Sequence, residues 1–479
     1  MVKLGLIIGF ALLFGDLLAQ QPFGQANYWP ETNAFDSVSH WGYNPQFNTP
    51  LAKHNTNKSW FRRKFFTEHF VEYSDSSLFL FIDPMIDLNV TQGSDNYLQN
   101  GRGLHAGFVI SDRIEAETWL MENQTGVLPN KLVHHQFGQT AVYGYGRSKV
   151  NKDTTSYDFA WAMARLAVKI KPWWIAEFGY GRQHIGVGYR SLILSNQTVP
   201  FPYFKNTWSV GKFTYSHQLA AWNTLVRAKK TANTEAPFLI QKNKIETVDY
   251  SVTSNLTIGY MAGAIWDDNK TYATIEEIGH YLPIPGVINA FGDSLFQLNG
   301  LQFNYRVNKL LIYGQLLSSQ QKLSKTAFQT GALLRIASER NQLFLRVEYN
   351  VVPAKFYRNN GNSWSNQTYY AGYVGREARE LLFRAQFQQN KWYLAAGTSI
   401  SLTNGLNKPT ELVKSITFES QYMINPTNGL AVFADLHLVN VNVNSPEFVS
   451  EFYSANDTES QSWVSVGIRT SLLRVFQDY

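Results

Sequence analysis

The sequence predicts an all-β fold: a transmembrane antiparallel β-barrel of about 18 strands, with a short N-terminal periplasmic segment. Three observations predict it. The first residues have the layout of an export signal. Most of the chain alternates apolar and polar residues with a period of two. The last residues, 472–479, close that series on an aromatic side chain. A closed barrel leaves no unpaired strand edge in hydrocarbon, where a free backbone N–H or C=O is costly.

The signal comes first. Lys3 precedes an apolar run over residues 4–14, and Gly15-Asp16-Leu17-Leu18-Ala19 follows. This is the charged, apolar and small-residue order of a secretory leader, and the run is too short to span a bilayer. Residues 1–19 therefore read as a signal peptide, and residues 20–75 as an N-terminal periplasmic or plug segment. Tyr28-Trp29-Pro30 and Trp41-Gly42-Tyr43-Asn44-Pro45 are turn-rich,. Ser59 is placed to cap a short helix that starts at Trp60.

Residues 76–479 read as the outer-membrane barrel. In residues 85–91, Ile86, Leu88 and Val90 alternate with Asp87, Asn89 and Thr91. Successive strand side chains point to opposite faces, so one face suits lipid and the other water. The pattern recurs with Leu343, Leu345 and Val347 against Arg346 and Glu348, and with Leu381, Phe383 and Ala385 against Arg384 and Gln386. Arginine is costly against lipid, so Arg165, Arg346 and Arg384 are expected in the lumen. Asn308-Lys309, Gln389-Asn390-Lys391 and Asn425-Pro426-Thr427-Asn428 read as tight turns. Residues 228–243, 267–295, 351–379 and 442–460 read as long polar loops. Short turns at one end and long loops at the other are the rhythm of an outer-membrane barrel. The segments number about 18 or 19, and a closed barrel expects an even number; counting back from residue 479 works as far as residue 157, and the parity fails between residues 78 and 156, where Pro84 and residues 122–137 disturb it. We take 18 strands, with 16 as the alternative count.

Composition agrees. The 479 residues include 13 Trp, 26 Tyr and 32 Phe, and membrane barrels use aromatics at both interfaces. The mean hydropathy of −0.25 is too polar for a bundle of membrane helices. The absence of Cys excludes disulfides, thiolate metal sites and a lipid-modified cysteine,. A net charge of +6 from 42 Lys/Arg and 36 Asp/Glu is a mild bias. It would suit an anionic partner such as lipopolysaccharide or acidic polysaccharide, and equally a solvated lumen. No block of like charge points to nucleic acid.

One segment stands apart: Phe178-Gly179-Tyr180-Gly181-Arg182-Gln183-His184-Ile185-Gly186-Val187-Gly188-Tyr189-Arg190-Ser191-Leu192-Ile193-Leu194-Ser195-Asn196. Gly181, Gly186 and Gly188 would shape a loop. Arg182 and Arg190 could grip carboxylates or sulfates bidentately, and Tyr189 could stack on a sugar ring. The glycines match neither a dinucleotide site nor a P-loop.

With Gly-Arg-Gln, then Gly-x-Gly, then Arg-Ser-Leu-Ile-Leu-Ser-Asn and the proline-rich exit Val199-Pro200-Phe201-Pro202, this segment resembles the Wzi capsule-assembly barrels. Trp60-Phe61-Arg62-Arg63-Lys64-Phe65, Glu68-His69 and Ile82-Asp83-Pro84 resemble the RemB-type branch associated with gliding motility. The resemblance covers roughly residues 58–220,. It implies an 18-stranded barrel in the outer membrane of a Gram-negative cell, without catalytic activity. It also implies a structural or binding role: attaching surface polysaccharide, or serving a gliding or secretion complex. His184 stands where the Wzi family tends to carry an aromatic. A channel for small solutes is the alternative.

Other constellations have plainer readings. His184 with Ser191, Ser195 and Asn196 suggests a lipid hydrolase, but a triad is defined by geometry, and we expect no enzyme. Glu115 and Glu117 share a strand face and read as lumen lining. His134-His135 and Asp267-Asp268-Asn269 lack metal-site spacing. No metal or cofactor is expected.

Overall fold

The computed structural model describes residues 59–93, 96–126, 133–136, 139–142, 144–150, 156–196, 198–227, 237–267, 281, 296–319, 326–338, 341–354, 356–359, 362–366, 369–370, 378–403, 411–443 and 460–470. Residues 1–19, expected to be a signal peptide, residues 20–58 and the aromatic terminus at 472–479 lie outside the described residues.

Eighteen antiparallel strands form the wall: β1 (Leu78–Gln92), β2 (Tyr97–Ile110), β3 (Ile114–Gly126), β4 (Ser156–Lys171), β5 (Trp174–Gly181), β6 (Phe201–Val210), β7 (Phe213–Arg227), β8 (Phe238–Ser251), β9 (Leu256–Asp267), β10 (Phe296–Val307), β11 (Leu310–Ser319), β12 (Thr326–Ala337), β13 (Asn341–Val351), β14 (Ala378–Gln389), β15 (Trp392–Thr403), β16 (Glu411–Asn425), β17 (Leu430–Val443) and β18 (Ser460–Arg469). Each pairs with its neighbour in sequence, and β18 pairs with β1 to close the cylinder. The strand number agrees with the sequence reading. Its parity problem is explained by Val133–Gln136, Gln139–Val142 and Gly146–Val150, three short strands inserted between β3 and β4, which pair directly with each other. Pro84 interrupts nothing and pairs with Leu104 inside β1. The strand β8 starts at Phe238, so the loop expected over 228–243 is shorter than its sequence suggests.

The two-residue period settles which side each residue faces. Leu88 and Val90 are exposed outside, whereas Asn89 and Thr91 are buried inside. Arg165, Arg346 and Arg384 are all buried on the lumen side, as expected,. Arg165 lies between Glu115 and Glu117 and bonds to both, so those two carboxylates line the lumen. At the short-turn end an outward row of rings continues from Trp173 and Trp174 to Trp208 and Tyr215, with centroid steps of 6.3, 6.2 and 5.3 Å. Amphipathic rings at the membrane–water boundary form such girdles.

The seam is asymmetric. Residues 87–92 of β1 pair with 464–469 of β18. Residues 79–82, on the same edge of β1, pair instead with the short strand Val71–Ser74. Just before it lies a helix, Trp60–Phe66, capped by the Ser59 hydroxyl, which accepts from the Arg62 N–H at 3.4 Å. The Asn425 amide donates to the carbonyls of Lys64 and Glu68 at 3.1 and 3.0 Å. His69 Nδ1 meets Asp83 at 2.5 Å, and the Phe70 N–H donates to the other Asp83 oxygen at 2.7 Å. The N-terminal segment thus runs from the β16–β17 turn to β1 and completes the wall where β18 stops.

Candidate functional site

Gly181 ends β5 and pairs with Phe201, the first residue of β6. The 19 residues between them, 182–200, make a loop that folds into the lumen. Its tip is held by side chains of the opposite wall. The N–H groups of Tyr189 and Arg190 donate to the two oxygens of Glu348, at 2.7 and 3.1 Å. Gln315 accepts from the Leu192 N–H at 2.9 Å and donates to the Ile185 carbonyl at 3.0 Å. Arg346 donates to the Val187 carbonyl at 2.9 Å and Gln329 to the Arg190 carbonyl at 3.0 Å. Buried backbone polar groups away from regular structure need such partners.

Arg190 is 2% exposed and grips Glu380 with two bonds, at 3.2 and 2.8 Å. The guanidinium groups of Arg190 and Arg384 both approach the Tyr189 ring, 5.1 and 5.2 Å from its centroid. Gly186 has φ +113°, and a Cβ there would fall 2.3 Å from the Gln315 amide nitrogen. At Gly188 a Cβ would fall 2.6 Å from the Arg190 carbonyl oxygen. Both positions require glycine. Gly181 has ordinary space around its Cβ position.

Beyond the tip the loop turns apolar. Ile185, Leu192, Ile193 and Leu194 are fully buried in one cluster with Trp222, Ile245, Phe296, Phe356, Tyr357 and Trp364. The last three lie between β13 and β14, in a stretch expected from sequence to be an outer polar loop. The Tyr357 hydroxyl donates to the Leu192 carbonyl and the Trp364 indole N–H to the Ile193 carbonyl, both at 2.6 Å. Two inward segments, packed on apolar inward side chains of β7, β8 and β10, therefore build an apolar plug inside the barrel.

Arg182 sits apart from that tip. Its guanidinium donates to the Gly144 carbonyl at 2.5 Å and lies 5.5 Å from the Tyr145 ring. The structure therefore brings Tyr189 and Arg190 together and leaves Arg182 at the loop's root, beside Gly144 and Tyr145. His184 bonds to the Gly188 carbonyl at 3.2 Å, and Ser191 donates to the Ile185 carbonyl at 2.6 Å. Burial pushes the His184 imidazole down to about 4, its bond to Gly188 opposes this, and Arg346 reinforces it. The side chains of His134, His135 and Asp267, and all of Asp268 and Asn269, fall outside the described residues. Among the described residues no group of three or more His, Cys, Asp or Glu side chains is arranged to hold a metal. The wall partners Gln315, Gln329, Glu348 and Glu380 were not singled out by sequence. Their one signal was a place on the lumen face of regular strands.

No protein-family model and no curated protein matches this chain. Solved structures match it in fold. Wzi of Escherichia coli is an outer-membrane protein involved in group 1 capsule assembly and a carbohydrate-binding β-barrel. It is 14% identical, with a TM-score of 0.51, over 80% of this chain and 84% of its own. OpdL of Pseudomonas aeruginosa is 9% identical, with a TM-score of 0.44, over 83% of this chain and 98% of its own. OccAB2 of Acinetobacter baumannii is 8% identical, with a TM-score of 0.44, over 81% and 97%. The likeness to Wzi bears on the fold: a closed 18-strand antiparallel barrel of the outer-membrane type.

Proposed function

We propose that this chain is a binding barrel of the Gram-negative outer membrane, exported by its N-terminal signal, which attaches surface polysaccharide at its long-loop end and catalyses no reaction. The observation that carries the reading is the plug. A loop locked to the opposite wall by Glu348, Glu380, Gln315 and Gln329 fills space that a solute channel keeps open. The lipopolysaccharide leaflet lies at the long-loop end of such barrels, and a glycan entering from that end would reach the half-buried root of the loop. Arg182 is the only one of the three predicted contact residues that is not deeply buried. Tyr189 and Arg190 then act as positioning residues that hold the loop. Wzi, a carbohydrate-binding barrel, supports the same class of ligand. The RemB-like features at residues 60–69 and 82–84 leave a gliding or secretion complex as the setting in which such a glycan would be held.

The test pairs two measurements on purified protein. Binding of capsular polysaccharide extracted from the same cells is read by calorimetry, and conductance is read in planar bilayers. The expected result is saturable binding with little steady conductance. A large, steady ion conductance without glycan binding would replace this reading with the channel.

A further inference from the structure

Membrane barrels meet the membrane–water boundary with amphipathic rings. At the short-turn end that girdle has a gap. Trp392 and Tyr422 face outward on β15 and β16, with ring centroids 4.9 Å apart. Strand register carries their row on to Val432 of β17 and Ile468 of β18. On β1 the outward positions nearest the short-turn end are Leu80 and Ile82. All four are aliphatic, so the rings stop at the seam.

The helix Trp60–Phe66 lies along this gap. Asn425, three residues past Tyr422, holds the Lys64 and Glu68 carbonyls, and the Thr427 hydroxyl donates to the Thr67 carbonyl at 2.9 Å. Three residues of tilted strand span roughly 8 Å. The helix is thereby placed at the depth of the polar interfacial layer, roughly 5–7 Å thick on each side of the hydrocarbon. No residue of the helix is buried. Trp60, Phe61, Phe65, Phe66 and Phe70 are 40–65% exposed. They form a cluster: Phe61 stacks on Phe65 at 5.5 Å, Phe65 meets Phe66 edge-on at 5.2 Å, and Trp60 meets Phe70 at 6.0 Å. So many neighbouring rings left in water are unfavourable, and such a patch marks a contact surface.

Two observations say what covers it. The patch is continuous with the lipid-facing wall: Val71 and Tyr73 are exposed and pair with Ile82 and Leu80, on the outward side of β1. Its charge suits a phospholipid surface as well. Arg63 and Lys64 both pair with Glu68 at 3.1 Å, whereas Arg62 is exposed and makes no ion pair among the described residues. A free cation beside the rings complements an anionic headgroup.

We propose that residues 60–73 are a membrane foot: their exposed rings enter the interface of the periplasmic phospholipid leaflet and complete the girdle where β17, β18 and β1 leave it open. Helices with rings on one side and cations at headgroup level lie in the interface plane in this way. Lipid then holds the seam together with the Val71–Ser74 pairing.

The chain has no cysteine, so one nitroxide can be placed cleanly on the full chain. In vesicles of phosphatidylethanolamine and phosphatidylglycerol, a label at Phe65→Cys should favour collision with oxygen over a water-soluble nickel chelate. The lipid-facing Phe418→Cys should do the same, and Lys309→Cys, in an exposed short turn, should do the reverse. The oxygen-to-nickel ratio at Phe65→Cys is expected to exceed that at Lys309→Cys at least threefold. Equal ratios overturn the proposal, because the rings then face periplasmic water. So does low access to both reagents, which assigns the rings to a protein contact. Should the labelled variants fail to fold, Trp60→Phe decides, since it keeps a ring. The emission difference between the native chain and Trp60→Phe should shrink by at least half when the vesicle lipid is brominated near its headgroup. An unchanged difference sinks the idea.

Discussion

At the tip of the inward loop, Arg190 reaches Glu380, 190 residues away in the chain. At the seam, Val71–Ser74 pairs with residues 79–82, its near neighbours in sequence. Both contacts close something, the lumen in one case and the wall in the other, but they fail differently. The tip is fixed by particular side chains from four separate strands, β11 to β14, so removal of one partner strands a buried charge among the rest. The seam is fixed mainly by backbone pairing, which any sequence of suitable pattern supplies, with side-chain locks from His69 to Asp83 and from Asn425 to the carbonyls of Lys64 and Glu68. Specific long-range contacts make the plug an all-or-none unit. Local pairing makes the seam a graded one.

The strongest way to break that contrast is Arg190→Ala. Removing one partner of a buried pair costs about 3–5 kcal/mol. The loop should then leave its seat, read as new protease cleavage between residues 182 and 200 and as raised bilayer conductance. Arg190→Lys should fall between, because it keeps the charge and loses the bidentate grip. A protease-resistant Arg190→Ala loop would show that the tip is not locked in this way. At the seam, Asp83→Ala removes two charge-assisted hydrogen bonds, each worth about 1.5–3 kcal/mol. The expected sign is a lower temperature of unfolding in detergent with no change in loop cleavage. Should loop cleavage rise as well, the two closures are one. Gly186→Ala forces a left-handed backbone on alanine and a clash with Gln315. Strain of about 1–3 kcal/mol should appear as partial loop cleavage, less than for Arg190→Ala.

Acid gives a smaller and reversible probe. His184 ordinarily titrates near 6.5 and is held down to about 4 by burial. Between those values the released loop binds a proton that the seated loop excludes. The His184 contribution to seating is therefore complete above about pH 6.5 and is lost as pH falls towards 4. Loop cleavage should rise over that window in the native chain and stay flat in His184→Gln. A native chain with no pH dependence between 7 and 4 would remove His184 from the account.

The barrel was readable because each strand repeats one rule. The alternation at residues 85–91 and 343–350 gives both face and register, and the lumen position of Arg165, Arg346 and Arg384 follows from the cost of charge in lipid. The plug was only half readable. Gly186 and Gly188 announced an unusual loop, but their neighbours Gln315 and Gln329 lie more than 120 residues on, and no local pattern links them. Trp364 and Tyr357 misled for the same reason. Their segment is polar on average, and the few apolar side chains that turn inward do so because the lumen offers Leu192 and Ile193. Lys244 and Glu246 lie on the outward parity of β8 and are nevertheless buried, which strand parity alone does not announce.

The smallest structural effect is expected at Arg182, and it separates holding the loop from reading a ligand. Its guanidinium gives one hydrogen bond to a carbonyl and one ring contact, at a half-buried site at the loop's root. Arg182→Ala should cost about 0.5–1.5 kcal/mol and leave the tip seated, so protease resistance and unfolding temperature stay near native. If glycan meets the barrel at this root, the same variant should weaken polysaccharide binding at least tenfold, because a carboxylate or sulfate loses its cationic partner. Arg190→Ala should weaken binding as well, but only together with loop release. Native affinity in Arg182→Ala, with the loop intact, would move the glycan contact elsewhere and leave the root of the loop, like its tip, a matter of architecture.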